Sequence, residues 1–305
     1  MNLRAALTGL LLIAGAATAS AETRLLEKRE SLYNNIFVYG DTATVHMTFG
    51  RENWRYYTES TMKLSDPGAL ANPYTRTMTL GIAYPPKLDR IMEIGLGGGR
   101  TVSYLNAALP ETSILAVELD KDVVELAKKY FQYTESATLK TVVSDGRVHL
   151  MRDSERWDVI MLDAFRGPYV PFHLLTREFY TLAKSRLAPG GVVVQNIEPS
   201  TMLFDSVTAT LKSVFASVDL YDGDGNVIAI CHDGPPLRQA ELLTRAAKVQ
   251  ERTKLRYDLT KIAADRRVFT RSKGKVMTDD FAPVETLHTI DQNNQKWKDQ
   301  TEAPR

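Results

Sequence analysis

The chain has 305 residues, with 38 Lys plus Arg against 37 Asp plus Glu, for a net charge of +1. That near-balance excludes a nucleic-acid binder acting through bulk positive charge. A single cysteine, Cys231, excludes an intramolecular disulfide and a cysteine-rich metal site. Apolar residues at 44% suit a globular protein with a sizeable core.

Residues 1–21 read MNLRAALTGLLLIAGAATASA. Arg4 gives a positive start, an apolar run follows, and Ala19-Ser20-Ala21 fits the small-x-small cleavage rule before Glu22. A cleaved secretory signal is expected, and with it a periplasmic or secreted protein. The alternative is a chain anchored to the membrane by an uncleaved signal, for which the run is short. No other stretch approaches about 20 apolar residues, so no stable membrane span is expected after cleavage. Arg4 is the only charge in this segment, so its removal leaves 37 basic and 37 acidic residues and a net charge of zero.

Residues 30–60 are rich in β-formers, with Ile36-Phe37-Val38-Tyr39 and Thr44 to Phe49 set off by Gly40-Asp41 and Gly50. They predict a small β-meander or hairpin. Asp66-Pro67-Gly68 signals a turn, and 74–83 reads as a helix. From Arg90 strands and helices alternate. Strands are predicted at 90–94, 113–119, 139–143, 157–162 and 192–194. Helices are predicted at 101–108, 122–131, 176–187 and 200–215, with Pro189-Gly190-Gly191 as the stop after the third. Strands at 218–221 and 227–231 flank Asp222-Gly223-Asp224-Gly225-Asn226, so they form a hairpin that leaves the last strand antiparallel. A charged helix is expected over 237–255 and a polar tail beyond it. The fold class is α/β: a parallel sheet covered on both faces, with ligands expected at the carboxyl ends of its strands. The organisation is a β-domain at 22–73, a nucleoside-binding domain at 74–235 and a C-terminal helix and tail at 236–305.

The first strand of that sheet runs into Gly95-Leu96-Gly97-Gly98-Gly99-Arg100. Four glycines in five positions let the backbone approach a ligand and offer donors at a helix start. Glu118 lies at the end of the next strand, about 20 residues on, where an acid accepts hydrogen bonds from ribose hydroxyls. Asp145-Gly146 follow the third strand, suited to an adenine edge. Asp163 ends the fourth. With Glu93 near the end of the first strand, carboxylates at four successive strand tips converge on one crevice.

The order of Ile-Gly-Leu-Gly-Gly-Gly, Val-Glu-Leu-Asp, Ser-Asp-Gly-Arg and Asp-Val-Ile-x-x-Asp resembles the spermidine synthase family. That family is a polyamine aminopropyltransferase branch of the class I S-adenosylmethionine-dependent transferases. The resemblance runs over about 31–285. It is closest to the spermidine-synthase-like subgroup, through Asp163-Ala164-Phe165, Pro171 to Phe179 and Thr278 to Glu285. It implies a Rossmann-like seven-stranded methyltransferase fold with a small N-terminal β-domain. It also implies polyamine biosynthesis, with decarboxylated S-adenosylmethionine or S-adenosylmethionine as co-substrate and no metal. By resemblance Gly95, Gly97 and Gly99 cradle the methionine part, Glu118 binds the ribose, and Asp145 with Gly146 meets the adenine. Asp163 is the catalytic acid that takes a proton from the attacking amine, and Tyr74 lines the substrate pocket. The partner is a small-molecule substrate, and homo-oligomers are common in the family.

Three departures stand out. The family has acids in the glycine loop, three residues after the catalytic one, and after the pocket tyrosine as His-Glu. This chain has Gly98, Arg166 and Thr75-Arg76 there. Arg76 and Arg166 would repel a polyamine and accept a carboxylate or phosphate, and Asp279 and Asp280 could supply replacement acids if the tail covers the crevice. The leading expectation is aminopropyl transfer. Methyl transfer to a small metabolite is the alternative, since loss of an acid at Gly98 leaves room for the carboxylate of the undecarboxylated co-substrate. A non-catalytic nucleoside-binding paralogue is the third. No HExxH or His-x-His pair is present among five histidines, so no metal is expected. His173 reads as a loop-orienting residue, Cys231 as a buried apolar group, and Trp54, Tyr56 and Tyr57 as packing for the β-domain.

Overall fold

The computed structural model describes residues 22–50, 58–165, 170–199, 203–267 and 274–281. The signal segment, Arg166, Trp54, Tyr56 and Tyr57 lie outside them. Four strands open the described chain: β1 (Arg24–Glu30), β2 (Asn35–Gly40), β3 (Thr44–Phe49) and β4 (Thr58–Lys63). They form one antiparallel sheet in the order β1-β2-β3-β4. The sequence pattern marks β2 and β3, and the sheet adds β1 and β4 on either side of them. β1 reads RLLEKRE, a charged edge strand whose polar residues hide it from a hydrophobic pattern.

α1 (Pro73–Met78) continues into a 3-10 turn, Thr79–Ala83, and leads to the second sheet. There β5 (Arg90–Ile94), α2 (Arg100–Ala108), β6 (Ser113–Glu118), α3 (Lys121–Tyr130), β7 (Leu139–Val143), α4 (Gly146–Arg152) and β8 (Trp157–Leu162) follow in turn. α5 (Arg177–Ser185), β9 (Leu187–Ile197), α6 (Phe204–Val214), β10 (Ser217–Asp222) and β11 (Val227–His232) come next. α7 (Gln239–Arg252), α8 (Leu259–Ala264) and the two-residue β12 (Arg266–Arg267) complete it. The strand order is β12-β10-β11-β9-β8-β5-β6-β7. Seven strands make the expected sheet, and β12 adds an eighth at its edge. β5 pairs in parallel with both β6 and β8, whereas β11 runs antiparallel to β9 and β10, and β12 antiparallel to β10.

The Pro189-Gly190-Gly191 stop is a correction. α5 ends at Ser185, and these residues lie inside β9. The register jumps from Trp157 opposite Leu187 to Val159 opposite Val192, so they form a bulge. Gly190 has φ +79°, which glycine adopts without strain, and the pairing resumes beyond it.

Both faces of the large sheet are apolar. Ile91, Ala116, Val159, Met161 and Val194 pack under α2 and α7. Met92, Val117, Ile160 and Val193, with the buried Cys231, pack under α5 and α6. A third cluster joins the small sheet to α3: Ile36, Val38, Met47, Phe49 and Met62 meet Val123, Leu126 and Phe131. Strand order reverses between β5 and β8, the place where ligands bind in such sheets.

Candidate active site

A cleft of about 280 Å3 opens at the carboxyl ends of β5, β6 and β8 and is roofed by β4 and the turn before β2. Gly95, Gly97, Glu118, Asp145, Gly146, Asp163 and Tyr74 all line it. Gly99 sits just behind, as the N-cap of α2 with φ +67°. Gly95 and Gly97 also have positive φ, at +97° and +51°. A Cβ on Gly95 would lie 2.4 Å from the backbone oxygen of Asp163, so glycine is demanded there by conformation and by space.

Glu118 is buried at the end of β6. Its Oε2 accepts from the Leu96 amide at 2.8 Å and its Oε1 from the Asp120 amide at 2.9 Å. Each carboxylate oxygen keeps a lone pair for a further donor. Burial raises its pKa and these amide bonds oppose the rise. Asp145 caps α4 by accepting from the Val148 amide at 2.9 Å, and its Oδ2 lies 2.8 Å from His173 Nε2. His173 thus stands in the cleft wall, tied to the acid assigned to the adenine.

Asp163 is gripped from two sides. Asn196 Nδ2 donates to its Oδ1 at 2.7 Å, and the Tyr74 hydroxyl to its Oδ2 at 3.2 Å. Asn196 is itself oriented by Asn226, which donates to its Oδ1 at 2.8 Å. Burial pushes the Asp163 carboxyl up, and the two hydrogen bonds partly offset this. Tyr74 is raised well above the usual phenol range by burial and then by the negative Asp163 and Glu59, so it stays a donor. The result is a fixed carboxylate in a poorly solvated site, able to accept a proton from a bound group.

At the two of these positions that lie among the described residues, Gly98 and Thr75-Arg76, the missing acids are not restored. A Cβ on Gly98 would meet Phe131 at 2.7 Å and Ser60 at 3.0 Å, and the Gly98 amide donates to Ser60 Oγ at 2.7 Å. The room expected at this position is filled, so what Gly98 removes is charge. Arg76 does not face the cleft. Its Nε donates to Leu70 O at 2.9 Å and its guanidinium lies over the Tyr257 ring at 4.8 Å. Its expected role with an acidic substrate is thereby corrected. Asp279 does not reach the crevice either; it forms a bidentate pair with Arg147 and accepts from Thr176 Oγ1 at 2.7 Å.

Two acids to which the motifs gave no role lie in the cleft wall. Glu59 on β4 and Glu93 on β5 line the same cleft. Five carboxyl side chains thus surround the space. Arg100, the arginine in the described lining, spends its guanidinium on the carbonyls of Phe131, at 2.7 Å, and Pro67. Asn196 and Asn226 reach the site through long-range contacts that no local motif reports. Among the described residues no group of three or more His, Cys, Asp or Glu could hold a metal.

Residues 79–222 match the Spermine/spermidine synthase domain. The chain is 34% identical over 199 residues to a polyamine aminopropyltransferase of Vibrio vulnificus, covering 64% of this chain and 66% of that protein. It belongs to the spermidine synthase family. A second member, a probable polyamine aminopropyl transferase of Bifidobacterium longum, is 29% identical over 89% of this chain and 64% of its own length. The chain thus spans about two thirds of the length of these curated relatives. Among solved structures, a probable spermidine synthase from Corynebacterium glutamicum superposes with a TM-score of 0.64 at 22% identity, over 84% of this chain and 97% of that one. The fold is the α/β class I methyltransferase fold that spermidine synthases share. Human methyltransferase-like protein 13 in complex with SAH gives a TM-score of 0.54 at 28% identity, over 59% of this chain and 91% of that one.

Proposed function

We propose that this spermidine synthase family member transfers an aminopropyl group from decarboxylated S-adenosylmethionine to an amine. The observation that carries this is the acidic cleft, in which Asp163 is held by Tyr74 and Asn196 beside further carboxyls. Two cationic substrates suit such a lining. The sulfonium supplies its own leaving group. The amine attacks the carbon beside sulfur once it has lost a proton, and Asp163 accepts that proton. Asn196 and Tyr74 fix the carboxylate toward the amine. Glu118 takes the ribose hydroxyls, Asp145 and Gly146 the adenine edge, and Gly95, Gly97 and Gly99 the chain on sulfur. Tyr74 bounds the amine side, and Arg166 is assigned there by sequence alone. Related proteins named polyamine aminopropyltransferase support this reading.

The test is incubation of the mature chain with decarboxylated S-adenosylmethionine and a panel of amines. Methylthioadenosine and an aminopropylated amine are the expected products. Asp163→Asn should abolish product while leaving nucleoside binding intact; product formation by this variant would remove Asp163 from the role of base.

Methyl transfer to a small metabolite is the second reading. Gly98 favours it, because the acid that distinguishes a terminal ammonium from a carboxylate is missing from the loop. The likeness to a methyltransferase-like protein bound to SAH points the same way. Conversion of S-adenosylmethionine itself, with a methylated product, would select it. Residues 1–21 are read as an export signal on sequence grounds. Cell fractionation and N-terminal sequencing should then find a periplasmic or secreted chain beginning at Glu22.

A further inference from the structure

Two carboxyls in the cleft wall, Glu59 and Glu93, have no part in the chemistry above. Glu93 carries the clearer signal. It lies in β5 between Ala116 of β6 and Met161 of β8. The residue is 2% exposed, and its Oε2 has no hydrogen-bond partner among the described residues. A buried carboxyl oxygen left unpaired is costly, and such groups mark places where a further partner binds. Gly95 lies two positions along the chain and so continues the same face, but it has no side chain to cover Glu93. The carboxyl consequently borders the cleft at the foot of the glycine loop. Asp163 follows Met161 by two residues and stands beside it on that face.

We propose that Glu93 is the counter-charge for a sulfonium nucleoside: it gives up a proton when the cation fills the cleft and regains one when the neutral thioether is left behind. This rests on the transferase reading above. The titratable groups around it are Asp163 after β8, Tyr74 of α1 bonded to that acid, and Tyr133 after α3. Its neighbours on β6 and β8 are uncharged. Burial, and then the negative Asp163, hold the Glu93 carboxyl well above the usual range, which favours its protonated form in the empty cleft. A nearby cation favours the ionised form and sends the proton to solvent. Transfer breaks the carbon–sulfur bond, and the electron pair stays on sulfur as an uncharged thioether. The carboxylate has then lost its cation and takes a proton back from solvent. The amine's own proton goes separately to Asp163. The cleft thereby prefers substrate to spent product, which speeds release of the thioether.

Titration calorimetry of the full mature chain tests this with S-adenosylmethionine, its decarboxylated form and methylthioadenosine, each at pH 7 in two buffers of different ionisation enthalpy. The wild type should release about one more proton with either sulfonium than with the thioether. In Glu93→Gln, a near-isosteric change, that extra proton should vanish. Its preference for sulfonium over thioether should fall by about tenfold through the lost Coulombic attraction. Its affinity for methylthioadenosine should stay within about twofold, which shows that the cleft is intact. Equal proton counts in the wild type, a measurement that needs no variant, would overturn the proposal. So would an unchanged preference in Glu93→Gln. A wild-type chain that binds none of the three nucleosides gives a different result: the transferase reading fails, and this proposal with it.

Discussion

At the scale of single residues, backbone conformation and neighbouring side chains constrain the glycine loop in different ways. Positive φ at Gly95, Gly97 and Gly99 favours glycine at those positions, so the preference is written in the sequence. Gly98 is different, because its constraint comes from Phe131 and Ser60, which are distant in sequence. Gly98→Ala or Gly98→Asp should therefore destabilise the protein by about 1–3 kcal/mol through overpacking. Denaturant unfolding measures this, and an unchanged midpoint would mean that the space is free. Glu118→Ala should weaken nucleoside binding by about 1.5–3 kcal/mol, the range for hydrogen bonds to a charged group, and calorimetric titration reads it. Glu93 adds a pH dependence. Its folded pKa is raised above the unfolded value, so the folded state holds the proton more tightly. Stability is then fully present below the unfolded carboxyl pKa and declines as pH rises toward the folded value. Glu93→Gln should flatten that decline, and a series of melting curves across pH would show a parallel slope if Glu93 were already ionised.

At the scale of elements, helix starts were readable where a capping side chain announces them. Asp120 caps α3 and Thr176 caps α5 in this way. The bulge in β9 is ambiguous in the sequence, because Pro-Gly-Gly ends a helix as readily as it bends a strand, and only pairing with β8 decides between them. The segment 274–281 carries no sequence pattern of its own, since the contacts that dock it on the domain are distant. Met277 N donates to Thr210 Oγ1 at 2.9 Å, and its carbonyl accepts from the Arg177 amide at 2.8 Å. Asp279 then clamps Arg147, which donates to the carbonyl of His173 at 3.1 Å. This strap fixes the cleft wall that carries His173. The Arg147 pair and the Thr176 hydroxyl hold the Asp279 carboxyl down to about 2, so its contribution is present above the unfolded aspartate range and is lost as pH falls toward that value. The pair is partly exposed, so solvent screening limits its worth. Asp279→Asn should cost about 1 kcal/mol of stability or less and loosen 170–176. Hydrogen exchange should rise in that segment and stay constant in β5 and β6; uniform exchange across both would rule out a local strap.

At the scale of the whole molecule, the near-zero net charge conceals an uneven distribution. Acids concentrate in the cleft, while Arg76 and Arg100 are turned to backbone carbonyls. A count of charges cannot show this, because it depends on which side chains the fold gathers. The N-terminal sheet offers a second case. Sequence sets it apart at 22–73, yet its inner face has no core of its own. Ile36, Val38 and Met47 are completed by Val123, Leu126 and Phe131 from the large unit. Charged contacts reinforce the seam: Arg29 donates to Glu125 at 2.6 Å, and Lys129 and Tyr130 to Glu27 at 2.6 and 2.8 Å. β4 and the turn before β2 also roof the cleft, so the same seam sets the position of Ser60 and Glu59 over the glycine loop. Leu126 is fully buried at its centre. Leu126→Ala should cost about 2–5 kcal/mol, as core truncations do. Because the core is shared, both sheets should lose protection together. Hydrogen exchange would show β2 and β3 rising in step with β5 and β6, and chemical unfolding would stay a single transition. Nucleoside affinity should fall as well, since loosening this seam moves Ser60 away from the Gly98 amide. If β2 and β3 alone became labile while β5, β6 and nucleoside binding were unaffected, the small sheet would be a separable domain and the seam would carry no role in shaping the cleft.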